Sequence, residues 1–164
     1  MNDIKLISDD LKSAIENQIA AEKYNANVYL YVCGYFRSNG CNNIANFFLS
    51  QHSEETEHSV LLFNLLTDLN VFPKIPNIDE CDMQFSNIKN VADLFLQREI
   101  ETTNSLNSLK EFAIEEKNPV AEERMRQMLI IQQSEYAEAT DFMDKAYAMN
   151  DWSDIILWDL SLKD

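Results

Sequence analysis

The sequence has few residues that interrupt helices: it contains only two glycines and three prolines among 164 residues. Inside a helix, glycine is about 1 kcal/mol and proline about 3 kcal/mol less favourable than alanine, so their scarcity favours long uninterrupted helices. Hydrophobic residues make up 46% of the chain, and this length is enough to bury one substantial core. The composition therefore predicts an all-α fold in a single domain that spans residues 1–164.

Cysteines and basic residues are also scarce. The three cysteines are an odd number and show neither a Cys-x-x-Cys nor a Cys/His spacing, so neither a disulfide framework nor a structural zinc site is indicated. The 13 basic residues are outnumbered by 28 acidic ones, which gives a formal charge of -15. This charge argues against a nucleic-acid partner and fits either a highly soluble surface or a chain that attracts cations. We expect a cytoplasmic protein.

Long apolar runs are absent as well. No uninterrupted apolar run approaches the roughly 20 residues that span a bilayer as a helix. The first residues, MNDIKLISDDLK, carry acidic side chains and lack the apolar segment of a secretion signal. We therefore expect no membrane partner and no targeting signal.

Capping residues divide the chain into four long helices. The predicted helices run from Ser8 as N-cap to near Gly40, from Asn42 or Asn43 as N-cap to about Asn70, from about Asn90 to Glu116, and from Asn118 as N-cap to about Met149. Residues 71–89 hold two of the three prolines and no helical pattern. A connection this long is expected to cross the length of a bundle, which predicts a four-helix bundle with one long crossover.

The C-terminal segment DWSDIILWDLSLKD predicts a short fifth helix. It combines two tryptophans with several aliphatic residues: Trp152, Ile155, Ile156, Leu157, Trp158, Leu160 and Leu162. A monomer would leave these side chains in water, which is unfavourable for so large an apolar patch. We therefore expect a homo-oligomer in which this segment packs against another subunit.

Each long helix places a polar residue on its apolar stripe near mid-length. At about 100° per residue, the stripes of the four helices include Glu22, then Glu55 with His58, then Glu99, and finally Gln132 with Glu135. A single glutamate on such a stripe is more often an edge residue whose carboxylate reaches water. Several buried carboxylates together are costly, however, and protonation or a bound cation must relieve them. Carboxylates with one imidazole suit iron or manganese.

Three segments resemble the helices of bacterial-type non-haem ferritins, within the ferritin-like di-iron superfamily. They are QIAAEKYNANVYLYVCGYF, NFFLSQHSEETEHSVLLFNLL and QQSEYAEATDFMDKA. The resemblance implies iron storage and detoxification by a ferroxidase, which oxidises Fe(II) to Fe(III) with O₂ or H₂O₂. It also implies a di-iron centre and a homo-oligomer of 24 identical subunits, a hollow shell that holds the ferric mineral.

The same resemblance implies a set of metal ligands. Glu22, Glu55 and His58 correspond to the ligands of one iron, and Glu55, Glu99 and Glu135 to those of the other. Of these, Glu22, Glu55, His58 and Glu99 are the implied catalytic residues. Gln132 matches a glutamine that lines the site, and Tyr29 matches a tyrosine beside it.

Several residues differ from the patterns of related families and sites, and these differences limit which family the sequence resembles. The fourth helix carries Gln132 and Glu135 where bacterioferritins and rubrerythrins have a second Glu-x-x-His. Thr56 stands where bacterioferritin has its haem-ligating methionine, so no haem is expected. Ile131 and Ser134 stand where a third iron site would need carboxylates, which predicts only weak iron binding near Glu54.

Two other functions remain open from the residues themselves. One is a non-catalytic bundle whose carboxylates bind a metal such as zinc. The other is a di-iron peroxidase of the rubrerythrin type that stores no mineral. The first would form no colour with Fe(II) and oxygen, and the second would retain little iron in each particle.

Overall fold

The computed structural model describes residues 6–162, and every regular element within that range is a helix. The helices are α1 (Asp9–Ser38), α2 (Asn42–Asp68), α3 (Ile88–Glu115), α4 (Pro119–Ala148) and α5 (Trp152–Ser161). The predicted all-α fold, a four-helix bundle with a short fifth helix, is confirmed. Residues 1–5 and 163–164 lie outside the described residues. The first range belongs to the segment examined for a secretion signal, and the second to the segment predicted to form the fifth helix.

The long helices form two hairpins. Helix α1 packs along α2 and α3 packs along α4, while α1 also contacts α3 and α2 contacts α4. The α1–α2 turn passes through Gly40, whose φ of 82° is readily adopted only by glycine. Between α2 and α3 the chain runs without helix, as the two prolines predict. None of the described helices is both long enough and apolar enough to span a membrane.

Local capping sets most of the helix starts. Ser8 accepts a hydrogen bond from the first turn of α1, and Asn118 does the same for α4, so both predicted caps are confirmed. Helix α3 begins at Ile88, two residues before the predicted start at about Asn90, and Asn87 is its N-cap. The Asn90 side chain instead accepts a hydrogen bond from the backbone N–H of Ser86.

The start of α2 is not capped locally. The predicted caps, Asn42 and Asn43, lie inside the helix, and Cys41 occupies the N-cap position without a side-chain hydrogen bond. A carboxylate from α5 takes over this role: Asp159 Oδ1 accepts from the N–H of Ile44 at 2.8 Å. Asn43 strengthens the contact by donating to the carbonyl oxygen of Asp159, also at 2.8 Å. Helix α5 is therefore fastened to the first turn of α2.

The tryptophans of α5 pack against the chain's own bundle. Trp152 and Trp158 are partly buried against the core, and the ring of Trp158 lies 5.2 Å from that of Phe142. The expectation that a monomer would leave both tryptophans in water is therefore wrong, because they cover the end of the bundle. The exposed residues are aliphatic ones on the other side of the helix: Ile156, Leu157, Leu160 and Leu162.

The core has two parts with a polar layer between them. One part is rich in aromatic residues, including Phe36, Phe48, Phe95 and Phe142. The other is mainly aliphatic, with Ile15, Ile19, Leu62 and Leu66. The polar residues predicted from the helical stripes lie between these two parts, so apolar packing shields them above and below.

Candidate metal centre

The six predicted site residues all lie in the polar layer, and all are buried: Glu22, Glu55, His58, Glu99, Gln132 and Glu135. Glu22, Glu55 and His58 each offer one ligand atom, and these atoms lie within 4.8 Å of one another. The carboxylates of Glu55, Glu99 and Glu135 meet the same condition. Glu55 belongs to both groups, so the structure brings the predicted residues into two adjoining candidate metal positions.

His58 stands between two carboxylates. Its Nδ1 lies 3.6 Å from Glu55 Oε2, and its Nε2 lies 3.2 Å from Glu135 Oε1. The contact with Glu135 joins the two groups, although the sequence resemblance assigns His58 and Glu135 to different metal ions. The imidazole is therefore within reach of both positions.

Glu99 is held by neutral donors on two sides. The hydroxyl of Tyr29 donates to Oε1 of Glu99, and Nε2 of Gln132 donates to Oε2 at 2.5 Å. Gln132 thus contacts a predicted ligand and fixes its orientation. Burial, followed by the charge of Glu99, raises the pKa of Tyr29 well above its usual value, so the phenol keeps the proton that it donates.

Three carboxylate oxygens at the centre lack a hydrogen-bond donor among the residues that the structure describes. They are the Oε2 atoms of Glu22, Glu55 and Glu135. The nearest ring nitrogen to Glu55 Oε2 is 3.6 Å away, which is too far for a hydrogen bond. A buried acceptor without a donor is unfavourable by about 1 to 3 kcal/mol. These atoms therefore have the geometry of ligands that a cation would satisfy.

Burial also changes the acidity of the cluster. It raises the pKa of Glu55 from 4.5 to about 8, with further contributions from the charges of Glu99 and Glu135. Burial likewise raises the pKa of Glu135 to about 7, and it raises those of Glu22 and Glu99. Without a cation, the cluster therefore binds protons near neutral pH. A metal ion that binds there must displace those protons.

A cavity of about 540 Å³ opens between α2 and α4 and reaches His58 and Glu135. Its wall carries three further acidic residues, Glu54, Glu57 and Glu138. Opposite charges attract, so an opening with this lining concentrates cations next to the buried carboxylates. The cavity connects the candidate centre with the surface of the bundle.

Two polar residues were not predicted from the sequence: Glu138, which lines this cavity, and Gln51, which contacts two of the lining residues. Gln51 Nε2 donates to Glu54 Oε2 and to Glu138 Oε2, each at 3.1 Å, and so bridges α2 and α4. Ile131 and Ser134 line the same cavity without contributing a carboxylate. The sequence feature that could have indicated Glu138 as a residue near the centre is its position one helical turn after the predicted ligand Glu135.

The ferritin-like domain family matches residues 12–149 of the chain. The bacterial non-haem ferritin of Bacteroides fragilis strain 638R is 25% identical over 140 residues, which cover 85% of this chain and 88% of that protein. The bacterial non-haem ferritin of Staphylococcus aureus strain USA300 is 26% identical over 113 residues, which cover 69% of this chain and 68% of that protein. The sequence similarity therefore includes all four long helices.

Among solved structures, the open pore ferritin of the archaeon Archaeoglobus fulgidus superposes with a TM-score of 0.91. The superposition covers 97% of this chain and 98% of that chain at 24% sequence identity, so it supports the fold alone. Both relatives are non-haem ferritins. Because the family match spans most of the chain, the chain belongs to the ferritin-like domain family.

Proposed function

We propose that the protein takes up Fe(II) as substrate, oxidises it at the buried centre and stores the ferric product in a shell of 24 identical chains. Membership of the ferritin family supports the coarser part of this proposal, a role in iron storage. The observation that carries the ferroxidase activity is the position of Glu55, which joins two groups of three potential ligands into one paired site.

The donor set suits a pair of divalent cations. Four carboxylates meet at the centre, namely Glu22, Glu55, Glu99 and Glu135. When all four are ionised, two divalent cations carry the charge that balances them. Oxygen donors with one imidazole suit Fe(II), and hard anionic donors stabilise Fe(III) still more, so such a site favours oxidation. Three of these carboxylates have an oxygen that accepts no hydrogen bond from any residue within 6–162.

Pairing the ions determines the stoichiometry of the reaction. Each Fe(II) gives up one electron, so two ions together reduce one O₂ to H₂O₂ with the uptake of two protons. They can equally reduce one H₂O₂ to two water molecules with two protons. A two-metal site thus delivers two electrons together and avoids one-electron radical products.

The protein's own residues support this reaction in three ways. The aromatic and aliphatic parts of the core exclude bulk water on either side of the centre. Tyr29 and Gln132 hold Glu99 in one orientation. The acidic lining of the cavity between α2 and α4 attracts Fe(II), in keeping with the formal charge of -15.

The test is to add two equivalents of Fe(II) per chain to the metal-free, assembled protein in air. We expect rapid formation of the ferric absorption, with one O₂ consumed for about two Fe(II). A bundle that only binds a structural metal would form no colour beyond the protein-free rate. Iron retained per particle after gel filtration separates storage from a peroxidase, which would keep only the ions of its centre.

A further inference from the structure

Gln18 is a buried amide on α1 that contacts one of the predicted ligands. It is only 2% exposed and lies one helical turn before Glu22. Its Nε2 donates to Glu22 Oε1 at 2.8 Å, and its Oε1 accepts from the hydroxyl of Ser105 on α3. The hydroxyl thus fixes which end of the amide points to Glu22, because a reversed amide would place two oxygens against each other.

This arrangement distinguishes the two oxygens of Glu22. Oε1 is occupied by the amide of Gln18, whereas Oε2 is buried and has no donor among the described residues. Glu22 also contributes to the group that contains Glu55 and His58. The oxygen that remains available to a cation in that group is therefore Oε2.

The neutrality of the donor matters as much as its position. A lysine or arginine at this point would pair with Glu22 and cancel one of the charges that attract a cation. An amide fixes the carboxylate and leaves its full negative charge in place. Gln18 is thus suited to orient a metal ligand without competing for it.

We propose that Gln18, locked by Ser105, is a positioning residue for the metal position formed by Glu22, Glu55 and His58. This inference rests on the proposed function and adds a residue that none of the predicted ligand sets contains. Outer residues that orient a ligand typically change metal affinity by about 10- to 100-fold when they are removed. The same range is expected for loss of the Gln18 amide.

The α1–α3 interface offers a matched control. Asn25 Nδ2 donates to Thr102 Oγ1 at 2.9 Å, and this contact also joins α1 to α3 through a buried amide. It involves none of the predicted ligands. Replacing Asn25 by leucine and Gln18 by methionine therefore removes similar buried hydrogen bonds, but only the second change affects a ligand.

The experiment measures Co(II) binding to the full-length, assembled, metal-free protein without oxygen, so that no turnover is needed. The visible absorption of Co(II) reports its coordination, and wild type is expected to bind two ions per chain. In Gln18→Met, one of the two ions should bind about 10- to 100-fold more weakly, with an altered spectrum. The other ion should bind as in wild type, and Asn25→Leu should leave both affinities unchanged.

Ser105→Ala tests the same inference independently, because it keeps the Gln18 amide and removes only the hydroxyl that donates to Gln18 Oε1. It should weaken the same ion in the same direction, by less than Gln18→Met does, and it carries the test if Gln18→Met fails to fold. Co(II) affinities in both variants equal to that of Asn25→Leu would overturn the inference. A wild-type protein that binds no Co(II) pair and does not oxidise Fe(II) would instead overturn the proposed function.

Discussion

Glu55 is the side chain shared by the two groups of potential ligands. Its pKa rises from 4.5 to about 8 on folding, which at pH 7 opposes folding of the metal-free chain by about 3 kcal/mol. Glu55→Gln keeps the shape and removes this charge. The metal-free variant should therefore be more stable than wild type, by about 1 to 3 kcal/mol, while Fe(II) oxidation slows by orders of magnitude.

Denaturant unfolding of the metal-free proteins and initial rates of Fe(II) oxidation test both parts of this prediction. Glu111→Gln is the control, because Glu111 is an exposed glutamate on α3 away from the centre. It should change neither quantity. A Glu55→Gln protein that is less stable than wild type and oxidises iron normally would show that Glu55 is an ordinary structural residue.

The acidity of the cluster also predicts how stability depends on pH. Between about pH 4.5 and pH 8 the folded, metal-free chain holds protons on Glu55 and Glu135 that the unfolded chain has released. Proton binding by these two side chains therefore favours the folded state fully below about pH 4.5. This contribution to stability is lost as pH rises through 7 to 8. The free energy of unfolding should fall with rising pH across this range. In the double variant Glu55→Gln, Glu135→Gln the fall should be shallower, and equal slopes would contradict the assignment.

Crystals soaked with Fe(II) in the absence of oxygen should contain two ions per chain. One is expected to contact Glu22, Glu55 and His58, and the other Glu55, Glu99 and Glu135. Anomalous diffraction at the iron edge locates them. Occupancy near Glu54 should be weaker, because Ile131 and Ser134 line that opening without a carboxylate. Strong density of equal occupancy beside Glu54 would contradict this expectation.

The sequence predicted the burial of residues whose position on a helix face follows from helical periodicity. The depth of Glu22, Glu55, Glu99 and Glu135 follows from their position on an apolar stripe, and all four are buried as predicted. Contacts between helices were not accessible in this way. Gln18 meets Ser105, and Gln51 meets Glu138, each across 87 positions of sequence. No local pattern indicates which polar residue will face which.

At the scale of the elements, α2 differs from the other long helices because its first turn is capped by Asp159 of α5. Loss of an N-cap typically costs about 0.5 to 2 kcal/mol. Asp159→Ala should lower the free energy of unfolding by this amount and should speed amide hydrogen exchange at Ile44. Ser8→Ala is the matched control, since it removes the local cap of α1 and should leave exchange at Ile44 unchanged. Unaltered exchange in Asp159→Ala would contradict the proposed cap.

Helix boundaries could be predicted where the cap and the helix are adjacent in sequence. Ser8 and Asn118 were identified because an N-cap side chain bonds its own first turn. At α3 the cap, Asn87, was not identified from the sequence, so the start of the helix was placed at about Asn90. The predicted caps of α2, Asn42 or Asn43, were wrong, because the side chain that caps this helix comes from α5.

At the scale of the whole molecule, α5 presents an aliphatic surface to solvent, formed by Ile156, Leu157, Leu160 and Leu162. Leu157 is 66% exposed. If this surface packs between subunits, Leu157→Asp should break up the assembly, because a charge would be buried there. Light scattering should give 24 chains for wild type and for Leu157→Met, and a much smaller mass for Leu157→Asp. A wild-type protein that stays a monomer or dimer at micromolar concentration would contradict the proposed shell.

The composition was sufficient to predict the all-α fold class, because a chain with so few glycines and prolines favours long helices. The long connection between α2 and α3 then determined the bundle topology. Apolarity alone did not show which side of α5 faces the bundle, so the burial of Trp152 and Trp158 was missed. That choice depends on Asp159, whose hydrogen bonds orient the helix.

The bond between Asp159 and Ile44 also has a consequence for biosynthesis. It joins residues 115 positions apart, and the carboxylate belongs to α5, which is translated after the four long helices. While α5 is still inside the ribosome, the first turn of α2 lacks the carboxylate that caps it, and the corner between α1 and α2 cannot reach its final form. The emergence of α5 therefore completes the start of a helix that was synthesised earlier.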